Sequence, residues 1–259
     1  MEAILLLEIL QQQWLLLSLF LITAILYSSV GFGGGSSYLA ILALTGIAFT
    51  QIRSTALLCN IIVVSGNVLY FHQQKVYHWK KVIPLVSCSI PLAFIGGYLK
   101  ISQTFFFILL GFTLFFAALS MWLSKKASVE SVLKTQNTFS KNAAYGGFIG
   151  FISGMVGIGG GIFLAPILHL THWDVPKKIA ATASFFILVN SVAGLAGQYT
   201  NPEFVIEWRV TSILLITVFI GGQIGSRLSN KLLNPIQLKK ATALLIAFVS
   251  IRILWKYLL

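Results

Sequence analysis

Apolar residues run along this chain in long unbroken stretches parted by short polar ones, and the stretches come twice in the same order. The first set covers about Leu5 to Tyr27, Ser37 to Phe49, Ile52 to Phe71, Val82 to Leu99 and Thr104 to Leu123. The second covers about Ala143 to Val156, Ile162 to Leu170, Pro176 to Tyr199, Trp208 to Leu228 and Leu238 to Leu258. A helix of about 20 apolar residues crosses the hydrocarbon of a bilayer. Continuous runs, instead of apolar and polar residues in alternation, exclude a β-barrel. The pattern predicts an all-α polytopic membrane protein of about eight to ten helical segments. Pro84 and Pro91 predict a kink in the fourth segment. Asp174-Val175-Pro176 reads as an N-cap followed by a first-turn proline.

The short second stretch of each set follows a glycine cluster. Gly31-Phe32-Gly33-Gly34-Gly35-Ser36-Ser37 is matched by Gly157-Ile158-Gly159-Gly160-Gly161-Ile162-Phe163. Glycine costs about 1 kcal/mol per site in a helix interior, so both clusters should break their helices. In hydrocarbon such a break survives only where protein or a polar cavity satisfies the freed backbone groups. Whether the short stretches span or re-enter is left open. Other matches are Ile41-Leu42 with Ile167-Leu168, Thr55-Ala56 with Thr182-Ala183, Ser65 with Ser191 and Trp79 with Trp208. The chain therefore divides into a first transmembrane repeat (1–123), a basic linker expected in the cytoplasm (124–141) and a second repeat (142–259).

Charge orients the repeats. Only 9% of the residues are charged, yet the formal net charge is +12. The bases lie mostly in short loops, as cytoplasmic loops require, so no nucleic-acid partner is expected. The loop with Lys75, Lys80 and Lys81 is basic, whereas its counterpart carries Glu203 and Glu207. Placing the basic loops inside puts these two on opposite sides, if each glycine cluster makes a hairpin that returns to its side of origin. The repeats then have inverted topology. Glu2, Glu8 and the lack of a basic n-region argue for a retained first helix, not a cleaved signal.

Inverted repeats with interrupted helices are a transporter arrangement, with substrate at the midplane between the repeats. A glycine turn offers several backbone N–H groups, and the helix that follows adds partial positive charge. Paired turns from opposite leaflets would hold an anion without a buried lysine. Candidate substrate contacts are Gly31, Gly33, Gly34, Gly35, Gly157, Gly159, Gly160 and Gly161 by backbone, with Ser36, Ser37, Thr55, Asn60, Thr182 and Asn190 by side chain. Asn60 and Asn190 either line the pathway or cross-link helices. Arg53 reads as an interface anchor in preference to a vestibule charge. Gly146-Gly147, Gly150 and Gly154, and Gly221-Gly222 with Gly225, read as close-packing surfaces.

Other chemistry finds little footing. Cys59 and Cys88 lie inside apolar runs without CxxC spacing, and the four histidines lie at segment ends. No metal, no catalytic residue and no cofactor is expected, and a dinucleotide site is excluded by the lack of a βαβ unit. No Asp or Glu beyond Glu8 lies in a span, so no proton relay or ATP-driven pump is indicated.

The duplicated GxGGG clusters, Gly31 to Gly35 and Gly157 to Gly161, the paired Thr55-Ala56 and Thr182-Ala183, and the basic central linker resemble the sulfite exporter TauE/SafE family (TSUP-type membrane transporters). The resemblance covers essentially the whole chain. It implies a multi-pass inner-membrane protein that transports sulfite, sulfonates, thiosulfate or similar small sulfur-containing anions. With the paired turns and the lack of clustered catalytic residues, the expectation is a secondary transporter, not an enzyme, that exports them by alternating access. The alternatives are an anion channel with the same turns as its filter, or a carrier of another small organic anion. The bilayer and the anion are the expected partners, and assembly as a homo-oligomer is left open.

Overall fold

The computed structural model describes residues 13–123, 139–202, 204–228 and 235–258. Glu2 and Glu8 with the start of the first helix, the linker bases Lys125, Lys126 and Lys134, and Glu203 lie outside the described residues. Within them the chain forms helices and no strands: α1 (Trp14–Ser29), α2 (Gly35–Ala43), α3 (Phe49–Gln73), α4 (Trp79–Tyr98), α5 (Gln103–Leu123), α6 (Phe139–Val156), α7 (Gly161–Leu170), α8 (Pro176–Tyr199), α9 (Trp208–Leu228) and α10 (Pro235–Leu258). Five of them, α3, α4, α5, α8 and α9, are long and apolar enough to cross a membrane, and α1 and α7 are shorter apolar helices. The protein is thus an all-α polytopic membrane protein.

Local chemistry sets the helix ends. Gly34 and Gly160 cap α2 and α7 in the left-handed conformation, at φ of 85° and 82°, where other residues are strained. Pro176 opens α8, but the capping position is Val175 and not Asp174. The Asp174 carboxylate is drawn away by Lys81, whose Nζ donates to it at 2.9 Å, and it also accepts the N–H of Val175 at 2.9 Å. Helix α4 continues through Pro84 and Pro91.

The glycines read as packing surfaces do pack. A Cβ at Gly146, Gly150 or Gly154 of α6 would strike the carbonyls of Leu85, Ser89 and Ala93 of α4. A Cβ at Gly221 or Gly225 of α9 would strike those of Leu21 and Ile25 of α1. Both pairings keep a constant register, so α6 lies parallel to α4, and α9 parallel to α1. Helix α3 crosses α8 antiparallel: Phe71 and Ala180 meet at Gly31, Asn60 and Ser191 at Gly159, and Leu57 reaches Gly194. Helices α5 and α10 are also antiparallel, with Phe107 stacked on Tyr257 and Ser250 Oγ donating to the Gly111 carbonyl at 2.9 Å. Exchanging α1–α5 with α6–α10 leaves the main helix pairings unchanged.

The outer helices α4, α5, α9 and α10 expose Phe94, Phe116, Phe219 and Phe248 among other large apolar side chains, as a lipid-facing surface does. Helices α3 and α8 hold buried polar side chains inside, Asn60, Ser184, Asn190 and Ser191 among them. Two contacts mark opposite ends of the bundle. Lys81 and Asp174 join the start of α4 to the start of α8. Gln51 Nε2 donates to Glu207 at 3.3 Å, joining the start of α3 to the start of α9.

Candidate functional site: two helix starts meeting at Asn60

The two glycine clusters fold alike. After α1, the N–H groups of Gly31 and Phe32 turn back to Ser28 and Tyr27; after α6, those of Gly157 and Ile158 turn back to Ser153. Each chain then restarts as a helix, with Ser37 and Tyr38 donating to the Gly34 carbonyl, and Phe163 and Leu164 to that of Gly160. The N–H groups of Gly33, Gly34, Gly35 and Ser36, and of Gly159, Gly160, Gly161 and Ile162, have no backbone acceptor among the described residues. Every helix start leaves such donors, and the macrodipole makes the end partly positive. On a surface they would face water, but here both ends are interior.

Asn60 stands between them. Its Nδ2 donates to the Ile158 carbonyl at 2.8 Å. A Cβ at Gly33 would lie 2.5 Å from its Oδ1, and one at Gly159 would lie 2.8 Å from its Nδ2. The turns also touch directly, since a Cβ at Gly35 would lie 2.6 Å from the Ile158 carbonyl. No side chain fits there, which is why glycine occupies the position. Asn60 Oδ1 is buried without a partner among the described residues.

A cleft with about 690 Å³ of empty space, mouth included, opens from this meeting point. It is bordered by Tyr27 at the end of α1, Gly33, Gly34, Gly35 and Ser36 of the first turn, Asn60, and Gly161 to His169 along α7. Its walls are mostly apolar, and among the described residues no Lys, Arg, Asp or Glu lines it. Among the described residues no cluster of His, Cys, Asp and Glu is placed to hold a metal ion.

Six of the sequence-predicted site residues border the cleft: Gly33, Gly34, Gly35, Ser36, Asn60 and Gly161. The others lie behind it. Gly31 gives its carbonyl to Ser184 Oγ, a bond that pins the first turn to α8. Ser37 Oγ donates to Tyr27 Oη at 3.0 Å. Thr55 bonds Thr211 across to α9 at 3.3 Å. Gly157 sits on the Arg53 backbone, and Gly159 and Gly160 are packed by Ser191 and Phe186. Thr182 is buried. Asn190 Nδ2 donates to the Phe186 carbonyl of its own helix at 2.8 Å.

Sequence reasoning passed over Tyr27 and His169 as cleft residues, although each stands beside a predicted break or helix end. It also misplaced Arg53. As an interface anchor its side chain would reach the membrane surface; instead it is buried, 4% exposed, with Nη2 3.3 Å from the Gly154 carbonyl and 3.5 Å from that of Gly96. Contacts also shift one repeat match. Gly33 faces Asn60 and Val64, as Gly159 faces Ile187 and Ser191, so Ser191 stands opposite Val64 and not Ser65.

The family model "Sulfite exporter TauE/SafE" matches residues 15–253. The chain is 31% identical over 242 residues to a probable membrane transporter protein of Sinorhizobium fredii, covering 91% of this chain and 96% of that protein. It is 25% identical to one of Bacillus subtilis, covering 69% of this chain and 71% of the relative. A third, from Methanocaldococcus jannaschii, is 24% identical, with 82% and 84% covered. No solved structure matches the chain. With the glycine turns and the apolar helices in place, the match across nearly the whole length decides the assignment: the chain belongs to the sulfite exporter TauE/SafE family of multi-pass membrane transporters.

Proposed function

We propose that the chain is a secondary transporter that exports small sulfur-containing anions, such as sulfite, sulfonates or thiosulfate, by alternating access around the paired glycine turns. The observation that carries this reading is the meeting of two helix starts at Asn60, with N–H groups from both turns that have no backbone acceptor and, among the described residues, no acidic side chain at the cleft. Such a site favours negative charge. It holds the charge by dipoles and not by a fixed cation, so the anion is also free to leave.

The antiparallel course of α3 against α8 and of α5 against α10 supports reading residues 1–123 and 142–259 as inverted repeats. The cleft follows α7 toward His169, the end of the bundle where Lys81 meets Asp174. Lys75, Lys80, Lys177 and Lys178 gather at the same end, which makes it cytoplasmic under the positive-inside rule. The cleft then faces the compartment from which an exporter loads. An inside-negative potential drives each exported negative charge by about 2.3 kcal/mol per 100 mV, so no coupling ion is needed.

Purified protein in liposomes tests this with sulfite, thiosulfate, taurine and sulfoacetate under imposed potentials. A carrier gives saturable flux with trans-stimulation. Flux that neither saturates nor trans-stimulates makes the chain a channel, and transport of only sulfur-free organic anions overturns the substrate class. Cysteines placed at Lys80 and Glu207 should label from opposite faces; labelling from one face sinks the inverted topology.

A further inference from the structure

We infer that a pocket closed by Arg53 and Gln198 is a second binding station for a small oxyanion, at the end of the bundle opposite the cleft. It is lined by Thr50, Arg53, Gln198, Asn201 and Phe204 and encloses about 240 Å³ with its mouth. Arg53 and Gln198 are 4% and 5% exposed, yet Arg53 Nε and Gln198 Nε2 have no hydrogen-bond partner among the described residues. Both atoms are donors. The two carbonyl contacts of Arg53 Nη2, at 3.3 and 3.5 Å, are long. Among the described residues no carboxylate lies within ion-pair distance of this guanidinium. A buried cation so poorly matched is costly unless an anion completes it, and a planar guanidinium fork suits two oxygens of one oxyanion.

The architecture does not require these polar groups. In the other half the equivalent positions are Ala180 and Phe71, which close the space beside Gly31 with apolar contact alone. Arg53 instead abuts Gly157, the first residue of the second turn. An anion passing from the Asn60 site toward the Gln51–Glu207 end would meet it next. That placement on a pathway rests on the proposed transport, whereas the binding itself does not.

The test is calorimetric titration of the full chain in nanodiscs with sulfite, sulfate and methanesulfonate. Gln198→Glu should pair with Arg53, raise the melting temperature and weaken one binding component about tenfold or more; Arg53→Gln should weaken the same component. Asn60→Leu should leave that component intact. If Arg53→Gln does not fold, Gln198→Glu still decides. A higher melting temperature with unchanged binding gives Arg53 a purely structural role and overturns the inference, as does a wild-type chain that binds none of the three anions. Binding lost in Gln198→Glu from a chain without sulfur-anion flux would sink the transport reading alone. Saturable flux with binding indifferent to Gln198→Glu would sink the station alone.

Discussion

At the first turn, Gly33 to Ser36 border an open cleft, with the Ser36 hydroxyl and Asn60 beside them. At the second, Gly159 and Gly160 lie under Ser191, Phe186 and Ile149. Each turn has the same left-handed cap and the same helix-opening bonds to that cap's carbonyl, although Gly31 turns back to Ser28 and Gly157 one residue further, to Ser153. The space between α1 and α7 is the cleft, whereas Val156, Leu39 and Ala40, at the equivalent positions on α6 and α2, are fully buried. There Val156 and Ile158 pack with Leu39, Ala40, Ile41 and Leu42 in one core. Three side-chain differences accompany this one-sidedness. Ser36 has Ile162 as its equivalent, Asn60 has Ile187, and Asp174, with its bond to Lys81, has Ile47, these last two each standing one residue before the cap of its helix. Equivalent backbones are thus held in unequal surroundings, and the alternating-access cycle proposed above would have these surroundings exchange.

The largest effect is expected at the two caps. Gly34→Val and Gly160→Val each force a β-branched residue to positive φ, a strain of about 1–3 kcal/mol beside neighbours already in contact. Both should reduce flux to about a hundredth or less while still inserting; wild-type flux in either, measured in liposomes, would show that turn to be dispensable. Next is the bridge. Asn60→Leu should cost about tenfold in flux, roughly the 1.4 kcal/mol of one hydrogen bond. Ile187→Asn, at the equivalent position, should not restore it, and rescue would mean that the halves are interchangeable.

The two halves should also differ in solvent access. With Cys59 and Cys88 replaced, Ala165→Cys in the cleft should react with a thiol reagent about tenfold faster than its equivalent Leu39→Cys, in line with local burial. Equal rates would contradict a one-sided cleft. The smallest effect concerns Asp174. Burial pushes its carboxyl up, but the Lys81 and Val175 hydrogen bonds and the charges of Lys81 and Lys178 outweigh that and hold it below its usual range. Its contribution is therefore present above the ordinary carboxylate pKa and lost as pH falls through the lower folded value. Asp174→Asn should lower the melting temperature near neutrality by about 2–4 °C and remove that acid-side dependence. Ile47→Asp, with no such lysine described beside it, should give no matching gain.

The breaks at Gly31 to Gly35 and Gly157 to Gly161 were legible because three adjacent glycines cannot sustain a helix. The packing role of Gly146, Gly150 and Gly154 was legible from their spacing on one face. Thr55, Asn190 and Arg53 were not, and the reason is physical. In a soluble helix the polar stripe marks the outside, but in a membrane both the lipid face and the protein interior are apolar. A run such as Phe49–Gln73 therefore does not reveal which face turns inward. Thr55 turned to Thr211, Asn190 to its own helix, and Arg53 to the carbonyls behind the second turn.

The sequence by itself determined a helical membrane protein of this family, two glycine breaks and the likeness of its halves, because these follow from composition, local propensity and spacing. Only the tertiary structure decided that both helix starts meet at Asn60, that the cleft opens on one side of them and that Arg53 is buried. Those depend on how antiparallel α3 and α8 are rotated about their own axes. That rotation is fixed by contacts between residues far apart in the chain, which no local pattern encodes.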